Sequence, residues 1–304
     1  MIREMARDLG VTTHFIGTFA NSASHAYKTY YIPKKNGSTR TIDQPSKQLK
    51  AMQRWLLAYC LNGLPVHPSA MAYQKDKSIF DNASLHAASR YLLRMDCKDF
   101  FPSITENDLK LLIAARPSMF STWLPFEIEL FCKLVCKNGR LTIGAPTSPA
   151  LSNAVCYDMD TQLSEISTKL GVTYSRYADD LFFSAKLPKI LATLEPIVSV
   201  TVATLTFPRG VSINSGKTRR SSKRGTRRVT GITLGSDGKA YVGRQLKRKI
   251  RSMIHRVDAI DPKSRASLAG LIAYASGFDP DFVNSLITKY GHSMVARARN
   301  LPGF

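Results

Sequence analysis

The sequence predicts an α+β fold in which short apolar strands form a sheet floor, carboxylates stand at strand ends, and amphipathic helices pack on the sheet. Three observations predict it. An apolar run over residues 91–96 closes on Asp96. Two further strand-like runs, 172–177 and 181–184, flank the tight turn Ala178-Asp179-Asp180. Stretches of helical period lie between and beyond them.

Each element follows from local pattern. Residues 27–32 and 39–42 read as strands joined by the basic turn Pro33-Lys34-Lys35-Asn36-Gly37-Ser38, a hairpin with a cationic tip. Ser46 is an N-cap for a helix with Leu49, Met52, Leu56 and Cys60 on one face, ending at Asn62-Gly63. A helix is expected over 79–89, and residues 105–137 are helical in period. Ser148-Pro149, in the order of N-cap then first-turn proline, opens another helix; Leu151, Val155, Met159, Leu163, Ile166 and Leu170 form its stripe and Gly171 its end. Strand-like pieces recur at 211–214, 228–234 and 240–242, before a helical, basic C-terminal region. No repeat, low-complexity tract or long linker separates these parts.

Composition bounds the class. With 304 residues, 44% hydrophobic and 21% charged, the chain has enough apolar material for a core and is not a disordered polymer. The best apolar runs, 55–66 and 197–207, fall short of the roughly 18 to 20 residues of a membrane span, and the first residues are charged, so a cytosolic protein with no membrane partner is expected. Cys60, Cys97, Cys132, Cys136 and Cys156 are odd in number and set among apolar neighbours, as buried thiols of a reduced compartment are. Cys132 and Cys136 share a helix face but have no second pair for zinc.

The formal charge is +21. Much of it falls between residues 217 and 256, where Asp237 is the sole acid among a long series of Lys and Arg. A cationic stretch of this length repels itself unless a polyanion meets it, which points to DNA or RNA. The acids carry the chemistry. Asp179 and Asp180 sit side by side in a turn and Asp96 ends another apolar strand, so three carboxylates can meet at one edge of a sheet. A divalent cation relieves their repulsion; Mg²⁺ takes few carboxylates together with substrate phosphates, and two such ions serve phosphoryl transfer. An ordinary Asp-rich turn is the competing explanation for Asp179-Asp180 taken alone.

Three ordered blocks carry a resemblance: Met95-Asp96-Cys97-Lys98-Asp99-Phe100-Phe101-Pro102-Ser103, Gly144-Ala145-Pro146-Thr147-Ser148-Pro149-Ala150-Leu151-Ser152-Asn153, and Tyr177-Ala178-Asp179-Asp180. Together they resemble the polymerase core of reverse transcriptases. Asn82-Ala83-Ser84-Leu85-His86 and Val229-Thr230-Gly231 resemble the two signatures of the bacterial retron enzymes. The resemblance runs from about residue 27 to 241. It implies a right-hand polymerase fold with fingers, an antiparallel palm sheet with packed helices, and a helical thumb. The implied boundaries are 1–92 for the N-terminal region and fingers, 93–104 for the first catalytic strand of the palm, 105–143 for fingers and palm helices, 144–235 for the palm, and 236–304 for the thumb.

By resemblance, Asp96, Asp179 and Asp180 are the catalytic, metal-binding triad for two Mg²⁺ ions, with the Cys97 carbonyl as a further ligand; Asp99 is excluded as a local structural partner. Phe101 floors the sugar site and Phe100 fills core. Arg40 contacts the incoming triphosphate, Gly144 lies in the turn beside the nascent pair, and Lys217 lies near the departing pyrophosphate. Arg227, Arg228, Val229, Thr230 and Gly231 are implied to contact RNA or the primer end, Asn82 and His86 to recognise RNA or to brace a loop, and Arg248 and Arg251 to track a duplex through its phosphates. Many family members have Leu-Pro-Gln-Gly where this chain has Leu141-Thr142-Ile143-Gly144, which places nucleotide affinity or fidelity in question.

The function implied is RNA-directed DNA synthesis from deoxynucleoside triphosphates on a structured non-coding RNA. Priming from an internal guanosine 2′-hydroxyl would give a branched RNA–DNA product in anti-phage defence beside an effector protein. After the thumb no acid cluster remains for a ribonuclease H domain, so a host ribonuclease H is expected to remove the template. The alternatives are another compact bacterial reverse transcriptase, of the group II intron, diversity-generating or abortive-infection type, or a non-catalytic RNA-binding antitoxin scaffold.

Overall fold

The computed structural model describes residues 1–33, 37 and 39–299. Lys34 and Lys35, the expected cationic tip, lie outside the described residues. By density of internal contacts the chain divides into two units. The first comprises residues 1–75, 93–183 and 188–219, and the second 76–92, 184–187 and 220 onward.

In the first unit, α1 (Ile2–Leu9) and α2 (Thr13–Ser22) precede the hairpin of β1 (Tyr27–Pro33) and β2 (Thr39–Pro45), which pairs Tyr27 with Pro45 and Ile32 with Arg40. Ser46 caps α3 (Lys47–Tyr59) by accepting the Leu49 N–H at 3.3 Å, as its position in the sequence predicts. Helix α4 (Ile79–Ala87) falls to the second unit, and β3 (Tyr91–Asp96) carries the chain back into the first. The helical stretch after it is not one helix. It breaks into α5 (Phe100–Ser103), α6 (Glu106–Ala114), α7 (Pro117–Phe120) and α8 (Pro125–Val135), because Pro117 and Pro125 each start a new helix. Gln53 of α3 donates to the Tyr27 hydroxyl and to the Leu134 carbonyl, both at 2.8 Å, tying the hairpin to α8.

The long helix expected from Ser148 is likewise two, α9 (Ser148–Val155) and α10 (Tyr157–Lys169), parted at Cys156, and Thr147 rather than Ser148 stands at the N-cap. Its stripe is buried at Leu151, Val155, Met159 and Leu163, while Ile166 and Leu170 are only partly covered. The hairpin that carries Asp179 and Asp180 follows as β4 (Thr173–Tyr177) and β5 (Asp180–Ala185), then α11 (Pro188–Ala203), β6 (Arg219–Ser222), β7 (Arg227–Val229), β8 (Ile232–Leu234) and β9 (Ala240–Tyr241). A four-stranded sheet runs β4-β5-β3-β6, so β5, which begins at Asp180, is the neighbour of β3, which ends at Asp96. The predicted strand at 211–214 is reduced to a single bridge between Cys97 and Ile213.

The second unit holds the antiparallel sheet β7-β8-β9 and the helices α12 (Arg244–His255), α13 (Pro262–Ser276), α14 (Pro280–Tyr290) and α15 (His292–Ala298). Ile250, Ile254, Val257, Leu268, Ile272, Phe282 and Leu286 form its helical core. Buried Asp279 joins the parts: it caps α14 through Phe282 N–H, accepts the Val242 N–H at 3.0 Å, and pairs with Lys247 at 2.7 Å. Among the described residues no helix is long and apolar enough to cross a membrane.

Candidate active site

Backbone pairing brings the segments that carry Asp96, Asp179 and Asp180 side by side. The Cys97 N–H donates to the Asp179 carbonyl at 2.8 Å, and the Asn214 N–H to the Asp96 carbonyl at 2.8 Å, so the end of β3 lies between the catalytic turn and the 212–214 segment. The turn is sharp because Ala178 adopts φ 57°. Burial pushes the Asp179 carboxyl up and the charge of Asp96 adds to it, with Lys217 and Arg40 opposing. The Asp180 carboxyl is pushed up to about 6 by burial, against the opposing Arg94.

Each of two acids already carries a cation. Lys217 donates to Asp96 Oδ1 at 2.8 Å, and Arg94 takes both oxygens of Asp180 at 2.8–2.9 Å through its Nη2, with its Nε 3.0 Å from Oδ1. Among the described residues no group of three or more His, Cys, Asp or Glu side chains stands ready around one metal position. The donor chemistry nonetheless fits a hard divalent cation at Asp96 and Asp179. Both are carboxylates, each feels the other's charge, and the ammonium on Asp96 stands where positive charge is required. Asp180 is turned to Arg94, which holds both of its oxygens.

Beneath the turn lies a buried ionic network that local sequence pattern does not announce. Arg176, wholly buried on β4, grips Asp160 of α10 through Nε at 2.9 and 3.1 Å and Nη2 at 2.7 Å. Its Nη1 donates to Asn153 Oδ1 at 3.1 Å and to the Ala178 carbonyl at 3.3 Å, and Tyr174 donates to Asp160 at 2.8 Å. The guanidinium therefore holds the carbonyl that precedes Asp179. The available signal was a charge in an otherwise buried strand; Arg94, the sole exposed side chain of β3 between buried neighbours, gave the same signal.

Arg40, Phe101 and Gly144, expected to contact the nucleotide, all belong to the first unit. Phe100 is buried, with the Arg176 guanidinium 5.8 Å from its ring centroid; Phe101, half-buried, packs edge-on against it. Asp99 takes φ 43° at the start of α5 and its carbonyl accepts the Ser103 N–H. Arg40 is exposed on β2, within electrostatic reach of Asp179. Gly144 has φ 123°, and a Cβ there would stand 2.5 Å from the Asp43 carbonyl, while Asp43 N–H donates to Ile143 at 2.8 Å. The close approach that demands glycine is thus to the β2 backbone.

In the second unit the two signature motifs meet. Asn82 and His86 are fully buried, which goes against side chains that face RNA and fits the bracing role instead. His86 Nδ1 lies 2.8 Å from Ser184 Oγ, which donates to Ser89 Oγ at 3.1 Å. Arg227, also buried, donates to the carbonyls of Ala87, Ser89 and Gly235, closing the C-terminal end of α4. Val229 pairs with Ile232, leaving Thr230 (φ 48°) and Gly231 (φ 87°) as a two-residue hairpin turn, and Thr230 Oγ1 donates to Ile79 at 3.1 Å. Arg228 stays exposed. On α12, Arg244, Lys247, Arg248 and Arg251 line one groove; Lys247 and Arg251 lie over the Phe282 ring at 4.8 and 5.3 Å.

Burial pushes the His86 imidazole down to about 3. A base whose folded value is depressed favours the folded state above its unfolded value of about 6.5, and that contribution is lost as pH falls from there towards 3. Wild type should therefore lose up to about 1.4 kcal/mol per pH unit below 6.5 that His86→Gln does not lose. Chemical denaturation of both proteins at pH 7.5 and 5.5 measures the difference; equal losses would contradict it.

Acids carried at neighbouring strand ends, on a sheet packed with helices, are the arrangement that metal-assisted phosphoryl transfer uses. The reverse transcriptase (RNA-dependent DNA polymerase) family matches residues 32–234. The chain is 37% identical to the Retron Mx162 reverse transcriptase of Myxococcus xanthus over 91% of its own length and 63% of that protein. It is 35% identical to the Retron Ec83 reverse transcriptase of Escherichia coli over 90% of this chain and 89% of that one, and 29% identical to the Retron Ec86 enzyme over 98% and 93%. Telomerase from Candida albicans in complex with a fragment of telomeric RNA aligns with TM-score 0.49 and 11% identity, covering 90% of this chain and 61% of that one. The chain belongs to the reverse transcriptase family, among the retron reverse transcriptases. Enzymes of this family generally use divalent metals.

Proposed function

We propose that this chain synthesises DNA on a dedicated structured RNA, primed from an internal guanosine 2′-hydroxyl to leave a branched RNA–DNA product, and that it serves in anti-phage defence beside an effector protein. A host ribonuclease H would remove the template. The observation that carries the polymerase reading is the pairing of Cys97 N–H with the Asp179 carbonyl, which brings the acids of two strands together.

Asp96 and Asp179 would hold the divalent cations, with the Cys97 carbonyl as a further oxygen donor. When bound, these ions lower the charge on the triphosphate and favour the ionised hydroxyl. The attacking hydroxyl oxygen forms a bond to the α-phosphorus as the bond to pyrophosphate breaks. Lys217, already on Asp96 and half-exposed, supplies a proton to the departing pyrophosphate. Arg40, a planar fork on β2, grips the triphosphate oxygens. Phe101 contacts the sugar. Arg176 acts from below by holding the turn, and Arg228, Arg248 and Arg251 offer cations to nucleic-acid phosphates.

Expression with the native upstream locus tests the proposal. The expected product is a discrete single-stranded DNA, resistant to ribonuclease, shortened by a 2′-5′ debranching enzyme and absent in the Asp179→Ala, Asp180→Ala double variant. Activity on an ordinary primed RNA without that species would overturn the retron-type priming.

A further inference from the structure

Tyr73 is a bulky residue held at φ 63°, in the left-handed region that side chains other than Gly, Asn and Asp rarely adopt. Its neighbours explain how the conformation is imposed. Ser69–Ala72 lies along β4: the Arg176 N–H donates to the Ser69 carbonyl at 2.8 Å, and the Met71 N–H to the Arg176 carbonyl at 2.7 Å. Asn153 Nδ2 then donates to the Ala72 carbonyl at 2.9 Å. The backbone is thus fastened to the catalytic hairpin and to α9 up to the residue before Tyr73.

What the conformation achieves is the placement of one ring. Tyr73 remains 49% exposed, so packing does not account for it, yet its ring centroid lies 6.3 Å from that of Phe101 at an interplanar angle of 47°. Partial burial and the charge of Asp179 push its phenol up, which puts the hydroxyl within electrostatic reach of the carboxylate site. An aromatic that excludes a ribose 2′-hydroxyl works only if the sugar cannot slide away from it. A displacement of about 1 Å is enough to defeat such a clash, so a second, rigidly carried surface is needed.

We propose that Tyr73 is that second surface: it and Phe101 form two walls of the nucleotide sugar pocket, and together they select deoxynucleotides over ribonucleotides. Arg176 and Asn153 set its position through the backbone. The inference rests on the reading of Phe101 as the sugar-contacting aromatic.

The test is steady-state incorporation of a deoxynucleotide and the matching ribonucleotide by the full chain on an RNA template with an annealed DNA primer. Tyr73→Gly removes the ring and suits a φ of 63°, so the variant should fold as wild type does. It is expected to raise KM for the deoxynucleotide about tenfold with little change in kcat, and to lower the deoxy-to-ribo ratio of kcat/KM by about tenfold. Tyr73→Phe, which keeps the wall, should retain the wild-type ratio. A merely structural residue would move neither KM alone nor sugar choice. Phe101→Ala separates the two layers of argument. If it loses discrimination and Tyr73→Gly does not, Tyr73 is not a wall of the pocket; if Phe101→Ala leaves discrimination intact, the reading of Phe101 fails and the Tyr73 inference with it.

Discussion

Asp179→Asn is expected to lower DNA synthesis on a primed RNA by more than about 10³-fold, measured as single-turnover rate at saturating Mg²⁺. Removing one neutral donor from a charge-stabilising site costs about 10² to 10³ in kcat, and a carboxylate that holds the cation should exceed it. Asp180→Asn is expected to cost less, because in this structure Asp180 is bound by Arg94 while Asp179 faces the charge of Asp96. Equal losses would mean that Asp180 leaves Arg94 to join the metal site. The same reasoning reaches stability. Burial, with the charge of Asp96 added, raises the carboxyls of Asp179 and Asp180, so their ionised forms oppose folding as pH rises through those values. Mg²⁺ should raise the melting temperature of wild type at pH 7.5, and do so less in Asp179→Asn; an identical shift in both would place the ion elsewhere.

Arg176→Met should destabilise the fold by about 3 to 5 kcal/mol, because it leaves Asp160 as an uncompensated buried charge. Asp160→Asn alone should be nearly as damaging, since Arg176 keeps its charge. Replacing both, as Arg176→Met with Asp160→Leu, should recover much of the stability, since a buried pair exchanged for apolar groups of similar volume is often neutral. Activity should not return with it. The Ala178 carbonyl loses the Nη1 donor at 3.3 Å, and the turn that carries Asp179 loses its support from α9 and α10. Urea unfolding and kcat measured on the same preparations separate the two effects. Recovery of both together would show that the network serves packing alone.

The sequence made the local elements and the acids legible. The β1–β2 hairpin, the Ser46 cap, β3 and the β4–β5 hairpin each follow from alternation, an apolar run or a turn residue within a few positions. Helix interruptions were less visible. A helical period continues across Pro117, Pro125 and Cys156, because apolar spacing reports which face is buried and not whether the backbone hydrogen bonds run on. Asp96, Asp179 and Asp180 stand out in the sequence because acids at the ends of apolar strands are costly and so conspicuous.

Partnership and burial were decided only by tertiary structure. His86 and Arg227 have the chemistry of RNA contacts, yet both lie inside, where one pairs with Ser184 and the other closes the end of α4. Gly144 is required by a carbonyl about a hundred residues earlier in the chain, and Tyr73 is turned towards Phe101 by bonds from β4 and α9. These are contacts between segments far apart in sequence. A residue's type and local spacing determine what it is able to do, but which groups it meets depends on long-range strand pairing and helix packing, and that is settled only when the whole chain folds.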